Sequence, residues 1–352
     1  RAMVMFDMVR LWGDFPVITT VADDITSENI DEVYPQYFPK QNTELEAYQQ
    51  IEKDLLDAVL YAPDNTPGNK TLFSKSVART LLAKIYAEKP LRDYTKVIQY
   101  CDEVKADGFD LVDDFSDLFG MNAAGTDAKM RNTKESILEA QFTSGAGNWC
   151  TWMFGRDLVN WNNNFTWAKW VTPSRDLISA FKQEGDEVRF KESIVYYDCN
   201  WSNYYPSDNY PFMYKCRSAN SSIIKYRYAD VLLLKAEALI MQDTPDLEGA
   251  ADIIDEVRDR AKLGALPTSV RSNKNVLLNA LLKERHLELA FEGQRWFDLV
   301  RLDKVEEVMN AVYAKDSGRK AQIYTFDKNS YRLPIPQSVI DANDKIHQNP
   351  GY

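Results

Sequence analysis

Five tryptophans, Trp149, Trp152, Trp161, Trp167 and Trp170, fall within 22 residues of this chain, and only Trp12, Trp201 and Trp296 lie elsewhere. Asn148, Arg156, Asp157, Asn160, Asn162, Asn163, Asn164 and Lys169 are interleaved with them. A pyranose ring has apolar C–H faces and a rim of hydroxyls. A site for it therefore needs flat aromatic platforms beside side chains that pair with hydroxyls, and this segment supplies both. Covering about 100 Å² of one indole face at about 25 cal/mol/Å² contributes about 2.5 kcal/mol. Two such contacts give about 5 kcal/mol before the cost of association, an affinity of roughly millimolar that hydrogen bonds would tighten. The candidate ligand-binding residues are Trp149, Trp152, Arg156, Asn160, Trp161, Asn163, Trp167 and Trp170. The competing reading makes the same rings interior packing for an irregular insertion. The i, i+3 spacing of Trp149/Trp152 and of Trp167/Trp170 fits either.

Two further aromatic groups are weaker candidates. Tyr196, Tyr197, Trp201, Tyr204, Tyr205, Tyr210, Phe212 and Tyr214 form one, and their alternation also suits strand packing. Tyr34, Tyr37 and Phe38, with Gln36 and Asn42, form the other. Catalytic patterns are scarce. His286 and His347 are the only histidines, which excludes His-rich metal sites and most histidine-based triads. No GxGxxG, GxxxxGK[ST] or GxSxG occurs. Carboxylates are abundant, as at Asp113, Asp114, Asp117 and Asp186, but nothing marks one pair for glycosidic acid–base work. Asp113 and Asp114 read as a solvated turn. Glu284, Glu288, Glu292, Arg295, Asp298 and Arg301 recur every three or four residues. They read as a structural polar stripe along one helix, with Glu292, Arg295 and Asp298 paired as neighbours.

These groups must be positioned by helices. Ser74 to Asp107 reads as a 34-residue helix pair, with Ala78, Leu81, Leu82, Ile85 and Tyr86 facing Tyr94, Val97, Ile98, Cys101 and Val104. Tyr228 to Ala261 is a second 34-residue pair, with Leu232, Leu233, Ala236 and Leu239 on one helix and Ala250, Ile253, Ile254 and Val257 on the other. That is the tetratricopeptide period, and a lone repeat cannot bury its own face. Further helices are expected to stack on them, at Tyr48–Tyr61 and Val276–Arg301. Between Gly120 and Ser222 the helical order weakens into a Gly- and Asn-rich stretch; Pro173 to Lys182 reads there as a short helix and Ile137 to Phe142 as a strand. Ile323–Phe326 and Tyr331–Leu333 could pair as short strands. The reading is one all-α domain over 1–352: tetratricopeptide-like stacked helix pairs with a large irregular loop-rich insertion. Residues 1–119 form a helical frame, 120–222 a variable aromatic-rich loop layer, and 223–352 a second helical frame with an irregular tail.

The net charge of −11 over 352 residues argues against a nucleic-acid partner, an anionic membrane surface or an acidic polysaccharide in the absence of a local basic patch. No apolar run approaches the roughly 20 residues of a membrane helix. Cys101 sits in a helical pattern as a small buried apolar residue, and Cys199 and Cys216 could bridge in an oxidising compartment. The first residues already read as helix with no capping residue ahead of them, so further chain is expected upstream.

Two C-terminal stretches carry a resemblance. Lys283-Glu-Arg-His-Leu-Glu-Leu-Ala-Phe-Glu-Gly-Gln-Arg-Trp-Phe-Asp-Leu-Val-Arg-Leu302 is followed by Leu333-Pro-Ile-Pro-Gln-Ser-Val-Ile-Asp-Ala-Asn-Asp-Lys-Ile-His-Gln-Asn-Pro-Gly-Tyr352. This pairing resembles the SusD/RagB family of glycan-binding outer-membrane lipoproteins. Arg1 to Pro16, Arg79 to Tyr86 and Arg227 to Ala238 fit the same pattern, so the resemblance runs nearly end to end. It implies a SusD-like fold, non-catalytic glycan binding without a cofactor, and a SusC-like TonB-dependent transporter as partner. It further implies a lipid-anchored place on the outer-membrane surface, with signal and anchor upstream, and a role in polysaccharide utilisation. In that family glycan contacts come from variable loops, so no binding residue transfers by position. The expected ligand is a neutral oligosaccharide or polysaccharide. The alternatives are a tetratricopeptide-type peptide- or protein-binding scaffold and an all-α glycoside hydrolase.

Overall fold

Helix-forming segments with polar caps account for most of the architecture. The computed structural model describes residues 1–143, 147–148, 171–198, 205–206, 208–315 and 325–352. The chain enters on α1 (Ala2–Trp12) and continues through α2 (Glu44–Tyr61). The Thr43 hydroxyl accepts from the Glu46 amide while the Glu46 carboxylate accepts from the Thr43 amide, a capping box that fixes where α2 starts. The first predicted pair forms as α3 (Lys75–Ala87), capped by Ser74, and α4 (Tyr94–Ala106), capped by Asp93. The second forms as α7 (Tyr228–Met241) and α8 (Leu247–Arg260), with Asp246 capping α8. Between them lie β1 (Ser136–Ala140), α5 (Arg175–Glu184), α6 (Glu187–Ser193), β2 (Ile194–Tyr197), β3 (Tyr210–Met213) and β4 (Ile223–Arg227). Next come α9 (Lys274–Glu288), α10 (Arg295–Arg301) and α11 (Val305–Lys315), and the short α12 (Gln337–Ala342) is the last helix of the described residues.

The two helix pairs stack directly on one another. α1 packs on α2, α2 on α3, α3 on α4, α4 on α7, and α7 on both α8 and α9. A single apolar cluster runs through this stack, from Phe6 and Ile51 through Leu81, Leu82, Val97, Leu233 and Ile254 to Leu277 and Leu281. Among the described residues the strands form two two-stranded antiparallel sheets, β1–β4 and β2–β3. The fold is all-α with tetratricopeptide-like helix pairs. The long insertion leaves the stack after α4 and returns just before α7. Its base is closed where β1 pairs with β4, Glu139 opposite Ile224 and Ala140 opposite Ile223.

Two expectations are corrected. Val276–Arg301 is not one helix. α9 stops at Glu288, and the chain turns through Phe291 (φ 66°) and Gly293 (φ 74°) before α10 starts at Arg295. Left-handed backbone cannot continue a helix of L-residues, and the non-glycine Phe291 holds it while packed against the apolar cluster that contains Phe181, Leu287 and Ala290. Leu282 and Leu289 are buried, whereas Trp296 is half-buried and meets Phe326 with ring centroids 6.0 Å apart. The second correction concerns the tail: Lys328–Tyr331 is a 3-10 turn capped by Asp327 rather than a strand, and the Leu333 amide donates to the Leu11 carbonyl at 2.7 Å. Ile323 and Tyr324 lie outside the described residues.

The polar stripe is structural; Asp298 and Arg301 pair within α10, and the other ion-pair partners come from other elements. Glu288 is fully buried and accepts from Arg189 on α6 (3.0 Å), Arg227 at the end of β4 (2.5 Å) and Arg260 at the end of α8. Arg227 also binds Glu135 (2.7 Å) and Glu292 (2.7 Å), and Lys215 binds Glu292 (2.6 Å). Glu284 pairs with Arg189 at 2.6 Å. A second buried set joins Lys84 of α3 to Asp230 of α7 (2.6 Å), Asp230 to Arg285 (2.7 Å), and Arg285 to Asp298 (2.8 Å). Arg301 completes it by binding Asp298 and Glu237. Arg295 pairs with neither Glu292 nor Asp298; its guanidinium donates to the Leu282 carbonyl at 2.7 Å.

Burial pushes the Glu288 carboxyl up, but Arg260, Arg227 and Arg189 outweigh it and hold it well below the usual carboxylate range. Glu292, Asp230 and Asp298 are likewise pushed up by burial and held down by their cationic partners. Glu284 and Asp186 go the other way, because burial outweighs Arg189.

Removing the Glu288 charge leaves three buried guanidiniums under-compensated. Glu288→Gln should destabilise the protein by about 3–5 kcal/mol, read as a lower urea midpoint at unchanged slope. An unaltered midpoint would mean that this carboxylate holds nothing together. The four depressed carboxyls also set the acid limit. The unfolded chain binds more protons than the fold below about pH 4, so stability falls with pH from there, while the raised Glu284 and Asp186 act oppositely at higher pH. Urea midpoints measured from pH 7 to pH 3 should drop on the acid side, and Glu292→Gln should lower the midpoint more at pH 7 than at pH 3.

Candidate functional site

The insertion builds a trough between a helix and a hairpin. α5 starts where the Ser174 hydroxyl accepts from the Leu177 amide at 3.0 Å. Leu177, Ile178 and Phe181 turn inward. Arg175, Ser179, Lys182 and Gln183, spaced i, i+4, i+7 and i+8, share the outer face. Asp186 caps α6, whose last residue Ser193 runs straight into β2. β2 pairs with β3 in the register Tyr196 opposite Pro211 and Tyr197 opposite Tyr210.

Strand alternation then sorts the tyrosines. Val195 and Tyr197 join Tyr210 and Phe212 in one apolar cluster, while Tyr196 points to the other face and packs with α5. Tyr196, Tyr205, Pro206 and Asn209 line the trough together with the polar face of α5. The trough has a volume of about 460 Å³ and is open to solvent rather than an enclosed cavity. That volume is within the range of small-ligand sites.

Tyr205 is held from several sides. Its hydroxyl donates to the Pro173 carbonyl at 2.8 Å, its ring meets Tyr210 edge-on with centroids 5.7 Å apart, and the Arg175 guanidinium lies 5.0 Å over it. Burial pushes the Tyr196 phenol above its ordinary value, so it is neutral and its hydroxyl remains a donor. The nine lining residues include Arg175 and Lys182 but no Asp or Glu. The chemistry on offer is aromatic faces, amides, a serine hydroxyl and two cationic donors.

The sequence candidates Trp149, Trp152, Arg156, Asn160, Trp161, Asn163, Trp167 and Trp170 lie outside the described residues, as do Trp201, Tyr204 and Cys199. The ends of their segment are described. Asn148 is buried; its amide nitrogen donates to the Ala219 carbonyl at 2.6 Å and its side chain to the Ser221 carbonyl at 2.8 Å. At the other end the Thr172 and Tyr210 hydroxyls are 2.5 Å apart. The described chain resumes at Val171, three residues before the α5 cap Ser174, and Tyr210, the partner of Thr172, meets the trough residue Tyr205 edge-on. Tyr210 and Phe212 prove to be core, and Tyr214 lies under the Arg217 guanidinium at 3.8 Å. Tyr34 and Tyr37 are exposed on a separate 3-10 turn, where the Tyr37 hydroxyl donates to the Asp23 carbonyl at 3.0 Å. Arg175, Ser179, Lys182 and Gln183 were not singled out from the sequence. Their common face opposite Leu177, Ile178 and Phe181 was the available signal.

The remaining chemistry is structural. Among the described residues no group of three or more His, Cys, Asp or Glu side chains could hold a metal ion. Burial, then Arg295, pushes the His286 imidazole down to about 3, so it is neutral at ordinary pH. Cys101 is buried and its sulfur lies 3.5 Å from the Val231 carbonyl.

Residues 208–352 match the model of the SusD family. A SusD-like protein of Formosa agariphila, P2, is 28% identical over the whole of this chain and 72% of its own length. A SusD-like protein of Bacteroides ovatus is 26% identical over 85% of this chain and 57% of its own length. Among solved structures, a SusD homolog from Bacteroides thetaiotaomicron superimposes with a TM-score of 0.76 at 22% identity, over 100% of this chain and 77% of the other. A laminarin-binding SusD-like protein gives 0.71 at 24% identity, again over 100% and 77%. The motif Lys283–Leu302, whose acids and arginines form the buried ion-pair sets, lies within the matched region, so the chain resembles the SusD/RagB family in sequence there and in fold throughout.

Proposed function

We propose that this protein captures a neutral glycan at the cell surface without cleaving it and delivers it to a TonB-dependent outer-membrane transporter of the SusC type. The observation that carries the reading is the trough, which sets two fixed tyrosines against an amide- and hydroxyl-bearing helix face. That is the complement of a pyranose, with an apolar face to stack and a hydroxyl rim to pair. Kinship supports it, since a relative of the same fold binds laminarin. A two-carboxylate hydrolase needs facing acids, and among the described residues the trough lining holds none. In this reading the tryptophan-rich segment, anchored beside the trough at Thr172, supplies further platforms through Trp149, Trp152, Trp161, Trp167 and Trp170, with Arg156, Asn160 and Asn163 as hydroxyl partners. The lipid anchor and the docking on the transporter belong to the same proposal.

Isothermal titration against neutral oligosaccharides should find one that binds with a Kd of roughly millimolar or tighter. Alanine at each of the five clustered tryptophans should weaken binding at two or more positions, by roughly ten-fold or more for each platform lost. A reducing-sugar assay on the bound polysaccharide should stay at background. A rise in reducing ends would replace capture by hydrolysis. Unchanged affinity in all five variants would remove the segment from the site.

A further inference from the structure

We infer that Phe291 is a positioning residue for the trough: the chain holds it in left-handed backbone so that its ring braces the apolar cluster on which Tyr196 and Tyr205 rest. The inference rests on the glycan reading above and concerns what keeps the tyrosines ready for a ligand. Its first support is where the strain lies. Among the described residues Asn132, Lys262, Phe291 and Asp303 are the non-glycine positions with positive φ. Asn and Asp tolerate that conformation, whereas a bulky ring is an outlier there. Lys262 and Asp303 also have a local reason for it, because each closes a helix. The Leu263 amide donates to the Arg258 carbonyl at 2.9 Å, and the Lys304 amide donates to the Leu299 carbonyl at 2.8 Å. Phe291 makes no such closure. The Glu292 amide donates to the Leu289 carbonyl at 3.1 Å, only one turn back. The Glu288 carbonyl at the end of α9 is instead taken by the side chains of Lys215 (3.0 Å) and Arg227 (2.7 Å). Gly293, with φ 74°, already supplies a reversal of the chain with no Cβ in the way. Ending the helix therefore does not account for a strained phenylalanine, and the place of its ring does.

The second support is what the ring shares. Phe291, Phe190, Tyr196 and Tyr205 all pack against one cluster, made by Leu177, Ile178 and Phe181 of α5, Ile194 of β2, and Leu287 and Ala290 at the end of α9. Phe190 carries the contact onward: its ring centroid lies 5.6 Å from that of Phe181 and 6.3 Å from that of Tyr196. Phe291 is what the turn between α9 and α10 contributes to this cluster. Both trough tyrosines are thus seated on packing that the strained residue completes. A seated ring favours binding, because ordering a side chain on contact subtracts from affinity.

Fluorine NMR of protein carrying meta-fluorotyrosine tests this with no ligand present, the two trough signals being assigned from Tyr196→Phe and Tyr205→Phe. Phe291→Gly removes the ring and the backbone strain together. It should shift or broaden both trough signals and leave those of the exposed Tyr34 and Tyr37 unchanged. Phe291→Leu, which keeps an apolar side chain, should restore them in part. Phe291→Ala removes the ring but keeps the strain, so its urea midpoint should be no higher than that of Phe291→Gly, the reverse of the order in ordinary backbone. Titration calorimetry with neutral gluco-, manno- and xylo-hexaoses reads the consequence. Affinity for the one that binds the unaltered protein should fall by roughly ten-fold in Phe291→Gly and recover in part in Phe291→Leu. Where Phe291→Gly does not fold, Phe291→Leu against the unaltered protein carries the same comparison. Unmoved Tyr196 and Tyr205 signals overturn the inference and leave glycan capture standing. Moved signals with full affinity remove the trough from the binding site, and the inference falls with that reading.

Discussion

One buried carboxylate joins the parts of this molecule. Glu288 ends α9 and takes guanidinium groups from α6, from the end of β4 and from the end of α8. A carboxylate cut off from water carries a large desolvation penalty that only close, well-directed partners offset. Three arginines meet that demand here, and each is in turn shared: Arg227 and Arg260 both reach Glu135, and Arg189 reaches Glu284 and Asp186. No one of these elements can shift without uncovering a charge in a place that water does not reach. The insertion is thereby tied to the frame at a point where sequence neighbours supply almost none of the contacts.

What was legible in the sequence was local. The pairs at 75–106 and 228–260 follow from apolar spacing within a few turns and from caps such as Ser74 and Asp246. The polar stripe from Glu284 to Arg301 was also recognised as structural, but its pairing was not. Spacing along one helix offered Arg295 to Glu292, whereas the fold brings in Arg227 and Lys215 from the insertion. The break between α9 and α10 was hidden for a related reason. Gly293 hints at a turn, but Phe291 at positive φ is tolerated only because its ring is taken up by the cluster around Phe181. A tertiary contact thus decides a backbone conformation that no local propensity would select.

The site shows the same divide. The aromatic and amide content of the insertion is visible as composition, yet which tyrosine faces a ligand depends on strand register. Tyr196 and Tyr197 are adjacent and chemically identical; pairing with Pro211 and Tyr210 sends one to the trough and the other into the hairpin core. A slip of one residue would exchange them. The polar face of α5 is similarly mute until something lies across from it, because a helix with Ser, Lys and Gln on its outer side is what any solvated helix looks like.

These two levels meet in how the trough is held. A flat ring captures a sugar well only if its orientation is already fixed, since ordering a side chain on binding subtracts from affinity. Tyr205 is fixed by a hydroxyl bond to Pro173, an edge contact with Tyr210 and a cation over its face. α5, which provides the opposite wall, leans on α9 through Leu177, Ile178 and Phe181 packed with Leu287 and Ala290. Leu287 is the residue immediately before Glu288. The helix turn that satisfies the buried arginines is therefore the same turn that supports the trough floor. Charge pairing deep in the frame and the rigidity of the trough near the surface are two consequences of one short stretch of α9.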